Sequence, residues 1–123
     1  MKILTVEDND INAMLVDRLL EDLDFQVQNT IAENGEDALQ KSSDQTFDLI
    51  LMDINLGDGS IDGVEVMQKL RTRSDYQNVP IVAVTCYALP GDKEKFLDLG
   101  FNEYVSKPID HQLLLSTIGK YNA

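Results

Sequence analysis

Basic residues are scarce in this chain. Ten lysines and arginines stand against 22 aspartates and glutamates, for a formal net charge of −12 over 123 residues. That balance repels nucleic acid, and no Lys/Arg cluster offers a stripe for a phosphate backbone, so no DNA or RNA partner is expected. Cysteine is scarcer still: Cys86 stands alone, which rules out an internal disulfide. No apolar run approaches the roughly 20 residues of a membrane span. Met1, Lys2 and Ile3 lead into a strand pattern without signal-peptide character. The expected setting is the cytoplasm, with no membrane partner. Linkers, repeats and low-complexity stretches are missing as well. Residues 1–123 are therefore expected to form one domain, large enough for a single core but too short for a catalytic cap or a second module.

What is present is an alternation, five times over, of strand-like and helix-like patterns. The first strand is expected over Lys2 to Val6, and a helix follows with Ile11, Met14, Leu15, Leu19 and Leu23 at helical spacing, capped by Asp10. Phe25 to Ile31 alternates apolar and polar residues, as a less buried, edge-like strand does. Asn34, Gly35 and Glu36 then turn the chain into a short helix carrying Ala38 and Leu39. A third strand, Asp48 to Asp53, runs into a Gly-rich loop of Gly57, Asp58, Gly59 and Ser60, then a helix from Gly63 to Arg73. Pro80 opens the fourth strand. A helix from Pro90 to Leu99, a strand from Asn102 to Ser106 and a helix from Asp110 to Lys120 complete the chain. Short Val/Ile/Leu runs between helices read as buried parallel strands. Right-handed crossovers with the second strand at one edge give a doubly wound α/β sheet of order 2-1-3-4-5 with five helices.

Four of the apolar runs end on residues suited to phosphate and magnesium. Ile3 to Val6 ends on Glu7 and Asp8, Leu49 to Met52 on Asp53, Ile81 to Val84 on Thr85, and Tyr104 to Val105 is followed by Lys107. Ligands of open α/β sheets bind just beyond the carboxyl ends of the strands, so these groups should share one pocket. Three crowded carboxylates raise at least one pKa unless a cation neutralises them. A hard divalent ion such as Mg2+ fits, taking Asp8 and Asp53 directly, Glu7 through water, and the backbone carbonyl of Asn55. Asp53, leaving the most apolar strand, is placed to act as a nucleophile that forms an aspartyl-phosphate. Lys107 would pair with Asp53 before reaction and with a phosphoryl oxygen after it, and the Thr85 hydroxyl would donate to another. Each residue type is common at strand ends; the joint placement is what is specific.

At these positions the chain resembles the receiver domain of two-component response regulators, a flavodoxin-like fold. The resemblance covers Val6, Glu7, Asp8 and Asn9, then Leu51, Met52 and Asp53, Asp62 and Gly63, Thr85, and Tyr104, Ser106, Lys107 and Pro108. It implies Asp53 as phosphoacceptor, Glu7 and Asp8 as the acidic metal pair, and Thr85 and Lys107 as phosphoryl contacts. It also implies a histidine kinase or histidine phosphotransfer protein as donor and a cis bond between Lys107 and Pro108. The output it implies is a switch: Thr85 moves toward the phosphoryl group and Tyr104 rotates into the vacated space. The surface of the fourth helix, fifth strand and fifth helix then changes for a downstream protein target. Such a domain is a phosphoacceptor that catalyses only its own phosphorylation and dephosphorylation, not a free-standing enzyme.

Two other classes compete. A magnesium-dependent phosphohydrolase of the haloacid dehalogenase type would use Asp8 and Asp10, but no cap fits this length and Asp53 would lack a role. A flavin carrier would need a Ser/Thr/Gly-rich loop where Glu7 to Asp10 stand. Against the usual receiver pattern, the loop from Asp53 to Gly63 is about two residues longer, a small thermodynamic cost. Gly57 stands where proline is frequent and Asp24 where glycine is. Tyr87, with Asn55, is expected to flank the pocket and tune water attack on the phosphoaspartate. Cys86 is expected to be a small buried side chain and His111 a solvated surface residue.

Overall fold

The computed structural model describes residues 1–54, 56, 61–86 and 89–122. Among these, five parallel strands, β1 (Lys2–Val6), β2 (Gln28–Ala32), β3 (Leu49–Asp53), β4 (Ile81–Thr85) and β5 (Glu103–Ser106), pair in the order β2-β1-β3-β4-β5. The connecting helices are α1 (Asp10–Leu20), α2 (Gly35–Asp44), α3 (Gly63–Arg71), α4 (Asp92–Leu99) and α5 (His111–Gly119). Every residue of β3 and β4 is buried, because helices cover both faces of the central strands. β2, at the edge, keeps only Ala32 buried.

The alternation of side chains along each strand splits the core in two. Ile3, Leu49, Leu51, Val82, Val84 and Val105 point to one face, where Val16 and Leu20 of α1 and Leu114 and Ile118 of α5 cover them. Leu4, Val6, Ile50, Met52, Ile81 and Ala83 point to the other, under Ala38, Val66, Met67, Leu70 and Phe96 of α2, α3 and α4. No described helix is long and apolar enough to cross a membrane.

Several boundaries differ from the sequence expectation for local reasons. Asn9, not Asp10, caps α1, its side-chain oxygen accepting from the Asn12 N–H at 3.0 Å. β2 starts at Gln28, whose N–H donates to the Met1 carbonyl at 2.9 Å, because pairing begins only where β1 supplies a partner. α4 starts at Asp92, since Gly91 (φ 92°) sits in the left-handed region that no helix continues through. α3 stops at Arg71, and a short 3-10 turn, Ser74–Tyr76, follows that the sequence pattern did not announce.

The larger correction concerns α1. Its helical spacing pointed to Ile11, Met14 and Leu15 as part of the core face, yet these are 69%, 70% and 56% exposed. Ala13, Val16 and Leu20 pack on the sheet instead, and Leu19 and Leu23 are half-buried beside them. Apolar residues cover more of α1 than one sheet-facing stripe can hold, so periodicity alone does not pick the buried side.

Tyr76 shows how the 3-10 turn is held. Its ring is fully buried, and its hydroxyl lies 3.0 Å from the carbonyls of Ser42 and Gln45 while accepting from the Phe47 N–H at 3.3 Å. Tyr76→Phe leaves these backbone groups short of a partner and is expected to cost about 1–3 kcal/mol. Urea denaturation of the two proteins checks it; an unchanged midpoint would mean that water replaces the hydroxyl.

Candidate functional site

Register brings the acidic residues together. Val6 of β1 lies beside Met52 of β3, so Glu7, just past β1, and Asp53, the last residue of β3, leave the sheet side by side. Glu7 is fixed there by its own N–H, which donates to the Ala32 carbonyl at 2.9 Å. Glu7 and Asp53 are each 5% exposed, whereas Asp8 is open to solvent. Carboxylate oxygens of Glu7, Asp8 and Asp53 lie within 4.8 Å of one another.

Lys107 enters from the far side of β4. Its N–H donates to the Thr85 carbonyl at 2.7 Å, anchoring the stem, and its peptide bond to Pro108 is cis. Its ammonium stands 3.1 Å from Glu7 Oε1 and 3.3 Å from Asp53 Oδ2. Two strand spacings, about 10 Å, separate β5 from β3, a gap that a long flexible lysine stem bridges.

The electrostatics follow from crowding. Burial pushes the Glu7 carboxyl above its ordinary range, the hydrogen bond and charge of Asp53 push it further, and Lys107 only partly offsets them. Asp8 is raised too, by burial and then by Glu7. For Lys107, burial alone would weaken the ammonium, but Glu7 and Asp53 together outweigh it and hold the group above its usual value. Three oxygen-donor carboxylates facing a single ammonium leave surplus negative charge, and hard oxygen ligands of this kind suit magnesium.

A pH-dependent stability follows. Because Glu7 and Asp8 have raised folded pKa values, their contribution to metal-free stability is complete below their unfolded values and is lost as pH rises through the folded ones. Magnesium is therefore expected to raise Tm at neutral pH and to do little in acid; at a hundred times Kd the gain is about 2.7 kcal/mol. Asp8→Asn should raise the Tm of the metal-free protein and remove most of the magnesium response. Differential scanning calorimetry at pH 4.5 and 7.5 with and without MgCl2 checks both, and equal magnesium shifts in the variant would take Asp8 out of the ligand set.

Gly63 packs against the end of β3. Its N–H donates to the Ile54 carbonyl at 3.1 Å. A Cβ there would collide with the Asp53 carbonyl oxygen and lie 2.9 Å from Ile54 Cα. Gly63→Ala must push that backbone, so we expect a loss of about 1–3 kcal/mol together with weaker magnesium binding. Paired calorimetry and magnesium titration test this; an unchanged affinity would mean that α3 yields instead of β3.

Thr85 ends β4, 1% exposed, one residue beyond Val84, which pairs with Asp53. Tyr104 on β5 is half-buried and stacks on Phe96 of α4, with ring centroids 6.1 Å apart and 18° between planes. Asn55, Tyr87 and the loop 57–60 lie outside the described residues. Asp10 is exposed in the first turn of α1, and Asp53, not Asp8, is the buried, lysine-paired carboxylate, which disfavours a phosphohydrolase built on Asp8 and Asp10.

Two expectations are corrected. Cys86 is exposed, because β4 ends at Thr85 and the chain emerges from the sheet there. His111, at the start of α5, is not simply solvated: its Nε2 lies 3.0 Å from Asp22 Oδ2, since α5 packs beside α1. The sequence reading also missed that Leu15, Leu19 and Ile109 extend the site. With Glu7, Lys107 and Pro108 they line a cleft of about 590 Å³. The surplus of apolar residues on α1 was the available signal.

Comparison with known proteins points the same way. The model of the response regulator receiver domain matches residues 3–119. The signal transduction histidine-protein kinase BarA of Escherichia coli K12 is 35% identical over 98% of this chain, which spans 13% of that protein's length. The polar-differentiation response regulator DivK of Brucella anthropi is 35% identical over 97% of this chain and 94% of its own. Among solved structures, the receiver domain of the sensor histidine kinase PA1611 from Pseudomonas aeruginosa, with magnesium in its active-site cleft, aligns at TM-score 0.85. It has 32% identity and covers 98% of this chain and 95% of that one. The Vibrio cholerae chemotaxis protein CheY4 aligns at TM-score 0.81 with 28% identity, over 98% and 97%. A parallel sheet of order 2-1-3-4-5, an acidic cluster with a lysine at its carboxyl edge, and a family match across the chain together make this protein a member of the response regulator receiver domains of two-component signal transduction.

Proposed function

We propose that Asp53 accepts a phosphoryl group from the phosphohistidine of a histidine kinase or histidine phosphotransfer protein. The observation that carries this reading is the Lys107 ammonium 3.3 Å from a buried Asp53 carboxylate at the open end of the sheet. An Asp53 oxygen attacks phosphorus, the P–N bond breaks, and the departing imidazole takes a proton from solvent. Lys107 shifts from the carboxylate to a phosphoryl oxygen, and the Thr85 hydroxyl donates to another. Asp8, Asp53, the Asn55 carbonyl and, through water, Glu7 are the groups that would hold magnesium, whose role when bound is to neutralise carboxylate and phosphoryl charge. Magnesium in the cleft of the PA1611 receiver supports the choice of ion. In a separate step, water attacks phosphorus, the bond to the Asp53 oxygen breaks, and inorganic phosphate and the free carboxylate are released, so the domain catalyses its own phosphorylation and dephosphorylation.

The output follows from Thr85 and Tyr104. Thr85 drawn to the phosphoryl group changes the space beside Tyr104, whose ring trades its place on Phe96 for another packing and alters the surface of α4, β5 and α5 for a downstream protein target in the cytoplasm. The test is incubation with acetyl phosphate and MgCl2, intact mass measurement, and peptide mapping after borohydride reduction. One phosphoryl group on the intact protein, replaced after borohydride reduction by homoserine at position 53 and absent when EDTA is present from the start, is the expected result. Label on Asp8, or none, would overturn the assignment.

A further inference from the structure

α4 is the most lightly packed of the five helices. Phe96 is its one buried residue, whereas α3 buries four and α1, α2 and α5 three each. Few buried apolar contacts make an element easy to displace. Its two ends are held differently. At the start, Gly91 supplies no side-chain cap, and the Asp92 carboxylate accepts only from the nearby Leu89 N–H, at 2.9 Å. At the finish, Gly100 (φ 128°) turns the chain toward β5, so close to α3 that a Cβ there would lie 3.1 Å from Met67 Sδ.

Arg71, the last residue of α3, reaches that turn. Its Nη1 is shared among the carbonyls of Tyr76 at 2.7 Å, Gln77 at 3.3 Å and Val79 at 2.7 Å. Its Nη2 donates to the Gly100 carbonyl at 3.2 Å and to Asn102 Oδ1 at 2.6 Å. Asn102 is in turn clamped to β4: its N–H donates to the Ile81 carbonyl and its Oδ1 accepts from the Ile81 N–H, both at 2.9 Å. A planar fork with donors on two nitrogens spans both groups of oxygens, which the single ammonium of a lysine does not. At its opposite end α3 is tied to the phosphoacceptor strand, where the Gly63 N–H meets the Ile54 carbonyl. The helix is a strut between the strand of Asp53 and the finish of α4.

Resting on the phosphoacceptor reading above, we propose that Arg71 is a positioning residue that pins the C-terminal end of α4, so that phosphorylation moves this helix only at its Gly91 end. Eight residues make a rod about 12 Å long, and a rod held at one end swings rather than slides. Exposed Lys93 and Glu94 then travel furthest and exposed Asp98 and Leu99 least. A partner that distinguishes the two states would read the first turn of α4.

The test uses the full chain, 15N-labelled, with MgCl2 and with or without beryllium fluoride as a mimic of the phosphoryl group. In the unmodified protein the amides of 92–95 are expected to shift and those of 100–102 to hold. Arg71→Lys should speed hydrogen exchange at Ile81, Gly100, Phe101 and Asn102 by at least about tenfold over any change in β1 and α5. In that variant the shifts should spread into 100–102, while the magnesium Kd stays unchanged because Arg71 lies at the other end of the sheet. Asn102→Asp keeps the acceptor oxygen and should behave as the unmodified protein. Exchange that rises evenly through the fold, or not at all at those four amides, would overturn the pin. So would shifts in the unmodified protein as large at 100–102 as at 92–95, or no α4 shift in a protein that takes up the phosphoryl group. Uptake from acetyl phosphate is read separately by intact mass. Its absence would count against Asp53 as acceptor and against the moving end, while the exchange comparison still decides whether Arg71 pins α4.

Discussion

Asp53→Asn is expected to fold, to bind no phosphoryl group from acetyl phosphate, and to lose detectable transfer from any histidine donor. The amide keeps the shape of the side chain but offers no anionic oxygen to attack phosphorus. Folding should survive because Lys107 retains Glu7 at 3.1 Å. Two opposing terms set the stability of the metal-free variant: the lost attraction between Asp53 and Lys107, and the relieved crowding of carboxylates. At Glu7 the upward push of Asp53 exceeds the downward pull of Lys107. With position 53 uncharged, Glu7 is expected to titrate at lower pH, and urea denaturation reads which of the two terms is larger. Intact mass, urea denaturation and carboxyl 13C titration read the three effects in one set of samples. A phosphorylated Asp53→Asn protein would move the acceptor to another carboxylate, Asp8 first.

Lys107→Ala carries the second large effect, on both stability and rate. Removing the ammonium leaves Glu7 and Asp53 buried together without their cation. Breaking a fully buried pair costs about 3–5 kcal/mol; Lys107 is 22% exposed, so some screening by water reduces the loss. The sign with pH is definite. Lys107 has a raised folded pKa, so its contribution is complete below its unfolded value and is lost only as pH rises through the folded one. In the variant the deficit is greatest at neutral pH and shrinks as pH falls through the raised pKa of Glu7, where a protonated carboxyl no longer needs the ammonium. Magnesium should recover part of the stability at pH 7.5. It should not recover the rate, expected to fall at least about 100-fold, because no cation then follows the phosphoryl oxygen. Lys107→Arg separates the roles: its charge restores stability, but its planar fork does not reproduce a point charge shared between two carboxylates. Full activity in Lys107→Ala would remove Lys107 from the phosphoryl contacts.

Much of the site was legible because strand ends in a parallel sheet converge whatever the loops do. Four apolar runs each terminating in a polar residue put Glu7, Asp8, Asp53, Thr85 and Lys107 at one edge, and the strand order followed from the handedness of crossovers. Details fixed by a partner rather than by local pattern were not legible. The start of β2 depends on the Met1 carbonyl just before β1, and the Ser74–Tyr76 turn is held because Tyr76 finds three backbone partners at and just beyond the C-terminal end of α2. Cys86 looked like a core residue by composition and is exposed by position.

The class of fold, the carboxylates, hydroxyl and lysine at the strand ends, and the acidity of the surface were all legible from residue types and periods, which are local properties of the chain. Which side of α1 faces the sheet was settled by packing. Ala13, Val16 and Leu20 went inward and Ile11, Met14 and Leu15 outward because the sheet gives a helix one apolar surface to cover, and the α1 sequence supplies more apolar residues than that surface can take.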